Sequence, residues 1–155
     1  MMRQWPEFDG NGDLPTGIHQ AALVEVMEHF GTSTMQRRIV ARRLERIYNL
    51  ARSTGQLARL VIFGSFVTAK PDPNDVDVFM LMQDTFDSSQ VTGEAAIIFD
   101  HMAAQSTEGA SVFWIRKAAA IGGEQAALAH WQVKRDKTKR GIVEVIGDDQ
   151  KRSGA

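Results

Sequence analysis

In the stretch "IFGSFVTAKPDPNDVDVFML", residues 62–81, two apolar runs flank a turn and a polar passage. The first run ends at Gly64 and Ser65, and the second opens with Asp75 and Asp77. Short apolar runs bounded by turn residues are typical of buried strands. The sequence therefore predicts two strands whose polar ends lie at the same edge of a sheet.

The remaining apolar patterns place helices and further strands around these two. Apolar residues recur at helical spacing over residues 16–30 and 33–53, which predicts two N-terminal helices. Strands are predicted at 57–63, 75–82, 110–115 and 141–146, with further helices at 91–105 and 122–133. We therefore expect an α/β domain of the α+β kind, with a mixed four-stranded sheet and packed helices, preceded by two N-terminal helices.

The length predicts a single domain. The chain has 155 residues, which is enough for one compact core and too few for two ordinary domains. We expect residues 1–54 to form a helical lead-in, residues 55–146 the core, and residues 147–155 a flexible tail.

The composition excludes several classes of site. The chain has no cysteine, which excludes a disulfide framework and thiolate metal centres. The histidines, His19, His29, His101 and His130, are at least ten residues apart, so no helical pair of them can hold a transition metal. No apolar segment is long enough to cross a membrane, and the start has no signal-peptide pattern. We expect a cytoplasmic protein without a membrane partner.

Asp75 and Asp77 are the first candidates for chemistry. Alternate residues of a strand project to the same face, so the two carboxylates share a face while Val76 and Val78 point into the core. Two carboxylates about 6 Å apart repel by about 2 to 3 kcal/mol at an effective dielectric constant of about 20. Mg²⁺ offsets such repulsion and favours one or two carboxylates completed by water and substrate phosphates. The pair indicates a site for Mg²⁺ or Mn²⁺; the alternative is a turn in which the acids stabilise their own loop.

Gly64 and Ser65 are candidates for binding phosphate. Glycine lets the backbone turn sharply and approach a ligand, and serine caps the short helix expected after it, so N–H groups and a hydroxyl point toward an anion. Lys70 follows in the same passage and either assists the phosphate or is an exposed loop lysine. We therefore predict a phosphate-binding turn formed by Gly64, Ser65 and Lys70.

The segment "FGSFVTAKPDPNDVDV" resembles the nucleotidyltransferase superfamily with a polymerase-beta-like palm. With "EFDGNGDLPTGIH", "SVFWIRK" and "KRGIVEV", the whole chain is similar to small prokaryotic nucleotidyltransferase-like proteins. The resemblance implies a nucleotidyltransferase-type sheet in which Ser65 contacts a triphosphate and Asp75 and Asp77 bind two Mg²⁺ ions. It also implies that the metals activate an acceptor hydroxyl and stabilise the leaving pyrophosphate.

A third carboxylate usually completes the site in active members of that superfamily. The strand expected to carry it reads "ASVFWI", and the corresponding position is Ser111. Glu108, in the preceding loop, and Glu144, on the last strand, are possible substitutes. If neither reaches the pair, nucleotide and metal binding survive while turnover is weak or absent.

Two basic stretches leave alternatives open. The run "KRDKTKR", residues 134–140, has five basic residues and either lines a substrate channel, holds RNA phosphates or is a solvated connection. The second predicted helix carries arginines that suit phosphates, an acidic partner or solvent: Arg37, Arg38, Arg42, Arg43 and Arg46.

Two functions follow from these features. The first is a Mg²⁺-dependent nucleotidyltransferase that moves a nucleoside monophosphate from an NTP to a hydroxyl of a protein, an RNA or a small molecule. The second is a catalytically weakened protein of the same fold that acts through a partner, such as a toxin–antitoxin or phage-defence component. The sequence leaves the oligomeric state open.

Overall fold

The computed structural model describes residues 3–147 and consists of one sheet with helices on both faces. The strands are β1 (Ile18–Ala22), β2 (Leu57–Phe63), β3 (Val76–Met82), β4 (Ala110–Arg116) and β5 (Ile142–Ile146). The α-helices are α1 (Leu23–Phe30), α2 (Met35–Ser53), α3 (His101–Ala103) and α4 (Glu124–Ala129). Of the predicted tail, residues 148–155 lie outside the described residues.

The strands form a mixed sheet in the order β1-β5-β2-β3-β4. β1 is parallel to β5 and β3 is parallel to β4, whereas β2 is antiparallel to both β5 and β3. The predicted class, a mixed α+β sheet with packed helices, is confirmed. The predicted strand count of four is wrong, since the described part of the chain contributes five strands to the sheet.

The fifth strand replaces the start of a predicted helix. The prediction of two N-terminal helices is wrong for residues 16–22, because Ile18–Ala22 forms β1 and the first helix begins at Leu23. The carboxylate of Glu25 accepts a hydrogen bond from the Ala22 N–H at 2.8 Å and marks the change from strand to helix. The second predicted helix agrees with α2.

The sheet separates two apolar clusters. On one face, fully buried residues such as Leu60 and Val78 pack with α1 and α2. On the other face, Val61 packs with Leu128 of α4 and with Trp131 in the short 3-10 turn that follows α4. The elements that cover this second face, α4 and the turn after it, are short. Part of the sheet is therefore accessible there, near the starts of β3 and β4.

The helix predicted at 91–105 is divided into short pieces. Gly93–Phe99 is a 3-10 helix, α3 has one turn, and Ala104–Glu108 is a π-helical turn. The Asp100 side chain accepts a hydrogen bond from the Ala103 N–H at 3.0 Å, which starts a new helix and ends the previous one. Within residues 3–147, no helix is both long enough and apolar enough to cross a membrane.

Candidate functional site

A buried arginine of α2 holds the passage between β2 and β3. Arg37 is 4% exposed, and its Nη1 donates to the carbonyls of Phe30 at 3.0 Å and Phe66 at 2.7 Å. Its Nη2 donates to the carbonyls of Thr68 at 2.6 Å and Lys70 at 2.5 Å. Burial lowers the pKa of the Arg37 guanidinium from its usual value. The backbone after the Gly-Ser turn is therefore fixed by one side chain.

Other α2 side chains continue this clamp toward the aspartates. Gln36 Nε2 donates to the carbonyl of Pro73 at 2.9 Å, and Arg43 Nη1 donates to the carbonyl of Asn74 at 3.2 Å. The Arg43 guanidinium also lies against Gly109, where an added Cβ would be 2.7 Å from its Nη1. Arg43 thus positions the residues that precede both β3 and β4. Part of the predicted basic helix face is a structural element rather than a free phosphate-binding surface.

Gly64 lets the end of β2 lie directly against Asp77. Its backbone has φ of 80° and ψ of −166°, a region that essentially only glycine occupies. A Cβ at this position would overlap the Asp77 carboxylate. The predicted neighbourhood of Gly64 and the acid pair is therefore present, and it depends on the absence of a side chain at residue 64.

The acid pair lies at the start of β3. Val76 and Val78 are fully buried, whereas Asp75 and Asp77 are half-buried, which agrees with the alternation expected of a strand. Burial, and then the negative charge of Asp75, raise the pKa of Asp77 to about 6. No lysine, arginine or histidine in residues 3–147 forms an ion pair with either carboxylate. The two carboxylates therefore repel each other without an ion pair to relieve them, and the charge of Arg140 only partly opposes the rise in the pKa of Asp77.

Ser111 is the residue opposite Asp77 on β4. The two are partners in the parallel register, so both side chains project from the same face of the sheet. The Ser111 hydroxyl donates a hydrogen bond that partly opposes the rise in the pKa of Asp77. Gln105 Nε2 donates to the Ser111 hydroxyl oxygen at 3.4 Å. The position where a third carboxylate was expected therefore holds a neutral hydroxyl.

Neither possible substitute for the third carboxylate joins the pair. Glu108 is 8% exposed and accepts a hydrogen bond from Arg46 Nε at 2.7 Å. Glu144 accepts from Arg59 Nε at 2.7 Å and from Nη2 at 2.8 Å. It is on β5, separated from β3 by β2, which places it about 10 Å across the sheet at ordinary strand spacing. Both acids are occupied by arginines.

A cavity of about 430 Å³ opens above Asp77 and Ser111. Three aromatic rings line it, and Trp131 stacks on Phe63 at 4.4 Å between ring centroids and lies 5.2 Å from Phe113. Its remaining lining residues are polar, basic or aliphatic: His101, Gln105, His130, Val133, Lys134, Arg135 and Arg140. The cavity thus combines an acid at its floor with aromatic and basic walls.

Comparison with known families assigns the chain. Residues 6–146, which include every strand and the cavity, match a family of unknown function named DUF6932. The chain belongs to this family. No curated protein and no solved structure gives a significant match. The chemistry of this DUF6932 protein must therefore be inferred from the geometry of its own site.

The other predicted phosphate ligands, Ser65 and Lys70, do not line the cavity. Ser65 begins a short 3-10 turn, and its carbonyl accepts from the Thr68 N–H at 3.2 Å and hydroxyl at 2.7 Å. The Lys70 side chain is exposed, while its carbonyl is held by Arg37. Ser65 therefore lies next to Gly64 at the end of β2, and Lys70 agrees with the plainer interpretation of an exposed loop lysine.

Arg140 is a site residue that sequence reasoning did not single out. Its Nε is buried and has no hydrogen-bond partner among residues 3–147, and its positive charge lowers the pKa of Asp77. A buried donor without an acceptor costs about 1 to 3 kcal/mol, which indicates that an anion can bind there. The sequence signal for Arg140 was its location at the end of the basic run. The signal for the aromatic wall was Phe113, which lies two residues after Ser111 and therefore on the same face of β4.

A larger groove of about 740 Å³ lies between α1, α2 and the end of β5. Exposed arginines of α2, among them Arg38 and Arg42, form part of its wall. None of the predicted site residues lines it. The smaller cavity is therefore the better candidate for chemistry, because it contains Asp77, Ser111 and Arg140.

Proposed function

We propose that this protein binds a nucleoside triphosphate together with Mg²⁺ in the cavity above Asp77, and that it transfers nucleoside monophosphate slowly or not at all. The observation that carries the proposal is that the acid Asp77 and the cation Arg140 share the cavity without forming an ion pair in residues 3–147. Each charge is then available for a separate ligand. A metal ion suits the carboxylate, and a phosphate suits the guanidinium.

Asp75 and Asp77 are the residues that would hold the metal. The described residues contain no group of three or more His, Cys, Asp or Glu suited to a metal ion. A pair of carboxylates still fits Mg²⁺, which commonly completes its shell with water and substrate phosphates. Burial and, after it, the negative charge of Asp75 raise the pKa of Asp77, and a bound cation would oppose both effects. When bound, the metal would neutralise charge on the phosphates and on an acceptor hydroxyl.

The remaining side chains would bind the nucleotide. Arg140 would donate its unpaired Nε–H to a phosphate oxygen. Trp131 offers an aromatic surface on which the base of the nucleotide can stack. The backbone at Gly64 lies against Asp77, and with the hydroxyl of the neighbouring Ser65 it would contact the phosphate chain. The nucleotide would then extend along the edge of the sheet that is formed by the end of β2 and the starts of β3 and β4.

Weak transfer is proposed because the third carboxylate is missing. Ser111 occupies its expected position, and the ion pairs with Arg46 and Arg59 hold Glu108 and Glu144 away from the pair. Freeing either acid would leave a buried carboxylate without the arginine that now donates a hydrogen bond to it. A protein of this kind would act by binding the nucleotide and a partner.

Equilibrium dialysis against each of the four radiolabelled NTPs, with Mg²⁺, Mn²⁺ or neither, tests the proposal. The wild type should bind at least one NTP only when the metal is present. The double variant Asp75→Asn, Asp77→Asn should bind it about tenfold more weakly or worse, a loss of about 1.4 kcal/mol. Asp72→Asn, an exposed acid of the same loop, is the matched control. Equal binding by the double variant would remove the pair from the site.

An efficient nucleotidyltransferase is the second candidate. The observation that favours it is that the cavity wall includes Lys134 and Arg135, so the cavity borders the basic run, where an acceptor would bind. The acceptor would carry its hydroxyl on a protein, an RNA or a small molecule. The test is label transfer from an α-labelled NTP to an acceptor over many turnovers. Transfer that is lost in the variant Asp75→Asn, Asp77→Asn would indicate an efficient enzyme rather than a binding protein.

A further inference from the structure

The basic run beside the cavity forms a fixed hairpin, here called the basic hairpin, residues 133–140. Val133 and Lys139 form an antiparallel bridge, and the Lys134 N–H donates to the Thr138 carbonyl at 2.8 Å. Lys137 has φ of 74° at the turn. Lys134 Nζ forms an ion pair with the buried carboxylate of Asp13 at 2.5 Å. The run is therefore held in one place relative to the cavity.

Three cations of the basic hairpin point to solvent. Arg135, Lys137 and Lys139 are exposed, and within residues 3–147 none of them forms an ion pair. The only acid of the hairpin, Asp136, accepts hydrogen bonds from the Thr138 N–H at 3.0 Å and hydroxyl at 2.5 Å. Asp136 is thus engaged within the turn, which leaves a positive patch for an anionic partner.

Apolar side chains are exposed where this patch meets the cavity. Phe113 is 38% exposed and Val133 is 44% exposed, and both line the cavity together with the half-buried Trp131. Exposed aromatic rings next to free cations are the combination that binds unpaired bases and their phosphates. A purely acidic protein surface would use the cations and would have no chemical use for the rings.

We propose that the basic hairpin, with Phe113 and Trp131, binds single-stranded nucleic acid. Arg135, Lys137 and Lys139 contact successive phosphates, and the terminal base stacks on the exposed ring of Phe113 beside Trp131 at the cavity mouth. The inference rests on the proposed function, because it names the macromolecule that shares this cavity with the nucleotide. A duplex is disfavoured, since its bases are already stacked on one another and cannot reach the rings.

Fluorescence anisotropy with end-labelled oligonucleotides of one mixed sequence tests this inference. Single-stranded RNA, single-stranded DNA and the matching duplexes are titrated with the full chain at several salt concentrations. The single strands should bind more tightly than the duplexes, and the tighter of the two strands identifies the sugar. The triple variant Arg135→Ala, Lys137→Ala, Lys139→Ala should bind about tenfold more weakly or worse, and its salt slope should fall by about 2, since each single-strand phosphate contact contributes about 0.7.

A matched control removes the same charge elsewhere. Arg38→Ala, Arg42→Ala, Arg52→Ala takes three exposed arginines from α2 and should leave strand binding within about twofold. Phe113→Ala should weaken strand binding about fivefold or more, because base stacking on an aromatic ring contributes at least about 1 kcal/mol. Equal loss in both triple variants, or no loss for Phe113→Ala, would overturn the inference. Tighter binding to polyglutamate than to either strand would also overturn it and would indicate an acidic protein instead.

The two proposals fail separately. The hairpin triple variant should keep metal-dependent NTP binding, whereas Asp75→Asn, Asp77→Asn should keep strand binding. Absence of strand binding in a wild type that binds NTP would overturn only the inference about nucleic acid. Absence of NTP binding in a wild type that binds single strands through the hairpin would overturn only the proposed function.

Discussion

Asp77 and Ser111 lie opposite each other on two parallel neighbouring strands, and the serine hydroxyl acts on the aspartate as a hydrogen-bond donor. In this row of the sheet a neutral side chain occupies the place that would complete a three-carboxylate metal site. Under the proposed function, this relationship is the reason that we expect binding of a metal–nucleotide complex without rapid transfer. It also gives the first prediction.

Ser111→Asp should convert the site toward a three-carboxylate centre. Without metal, the added charge beside Asp77 should destabilise the fold by about 1 to 3 kcal/mol, from like-charge repulsion at an effective dielectric constant near 20. Mg²⁺ should recover most of this loss, and label transfer from NTP should increase. Chemical denaturation with and without Mg²⁺ measures the effect. Ser111→Asn, of similar size and without charge, should show no such metal dependence; if it responds as strongly as Ser111→Asp, the repulsion argument is wrong.

Gly64→Ala should reduce metal-dependent NTP binding more than Gly123→Ala, a substitution with similar backbone strain away from the site. Gly64 has φ of 80° and ψ of −166°, and its added methyl group would overlap the Asp77 carboxylate. Gly123 has φ of 97° and ψ of 174° with nothing within 4 Å of an added Cβ, so it is a control for backbone strain alone. Both variants should lose about 1 to 3 kcal/mol of unfolding free energy. Only Gly64→Ala should lose metal-dependent NTP binding, and the result is read by dialysis.

The stability of the protein should depend on the ionisation of Asp77. The folded-state pKa of about 6 is above the usual 3.8, so ionised Asp77 disfavours the fold at pH above about 6. That penalty should disappear as the pH falls through 6 toward 4, because the folded state then binds a proton that the unfolded state does not. Comparison of wild type and Asp77→Asn by urea denaturation at pH 4.5 and 8 isolates this contribution, with Mg²⁺ added at pH 8 as a second arm.

The expected sign follows from that linkage. Asp77→Asn should be more stable than the wild type at pH 8, by at most about 2 kcal/mol after solvent screening, and the difference should shrink at pH 4.5. Mg²⁺ should stabilise the wild type at pH 8 and have little effect on the variant. A wild type that becomes less stable, relative to Asp77→Asn, as the pH falls from 8 to 4.5 would contradict the raised pKa.

Arg37→Met should destabilise the fold and loosen the loop that carries the site. The substitution removes the donor from four backbone carbonyls, including those of Phe66 and Lys70, and should cost about 3 kcal/mol or more. Arg38→Met is the matched control, since Arg38 is exposed and makes one hydrogen bond of 3.3 Å to the Thr32 carbonyl. It should change stability by about 0.5 kcal/mol or less. Urea denaturation curves that coincide for the two variants would show that Arg37 is not the clamp.

The central strands and the acid pair could be predicted from the sequence because their signals are local. Strand alternation placed Val76 and Val78 in the core, and the Gly-Ser turn placed Gly64 near Asp77. Strand β1 could not be predicted in the same way. Its Gln20 pairs with Glu144, 124 residues later, and such a distant partner leaves no mark on a local pattern that also fits a helix.

The residues that line the cavity could not be predicted from the sequence for a related reason. Phe113, Trp131 and Arg140 come from three separate segments that converge only after the sheet has formed. Each of them has an ordinary explanation in isolation, as a strand residue, a packing residue or a charge in a basic run. The roles of Glu108 and Glu144 likewise depended on arginines 62 and 85 residues away in sequence.

Crystallisation with Mn²⁺ and a non-hydrolysable NTP analogue, followed by anomalous diffraction at the manganese edge, shows where the metal and the phosphates bind. We expect a manganese peak in contact with carboxylate oxygens of both Asp75 and Asp77, with the phosphate chain extending toward Arg140. A bound analogue with its phosphates away from Arg140, or a manganese ion that contacts neither aspartate, would show that the proposed site is wrong.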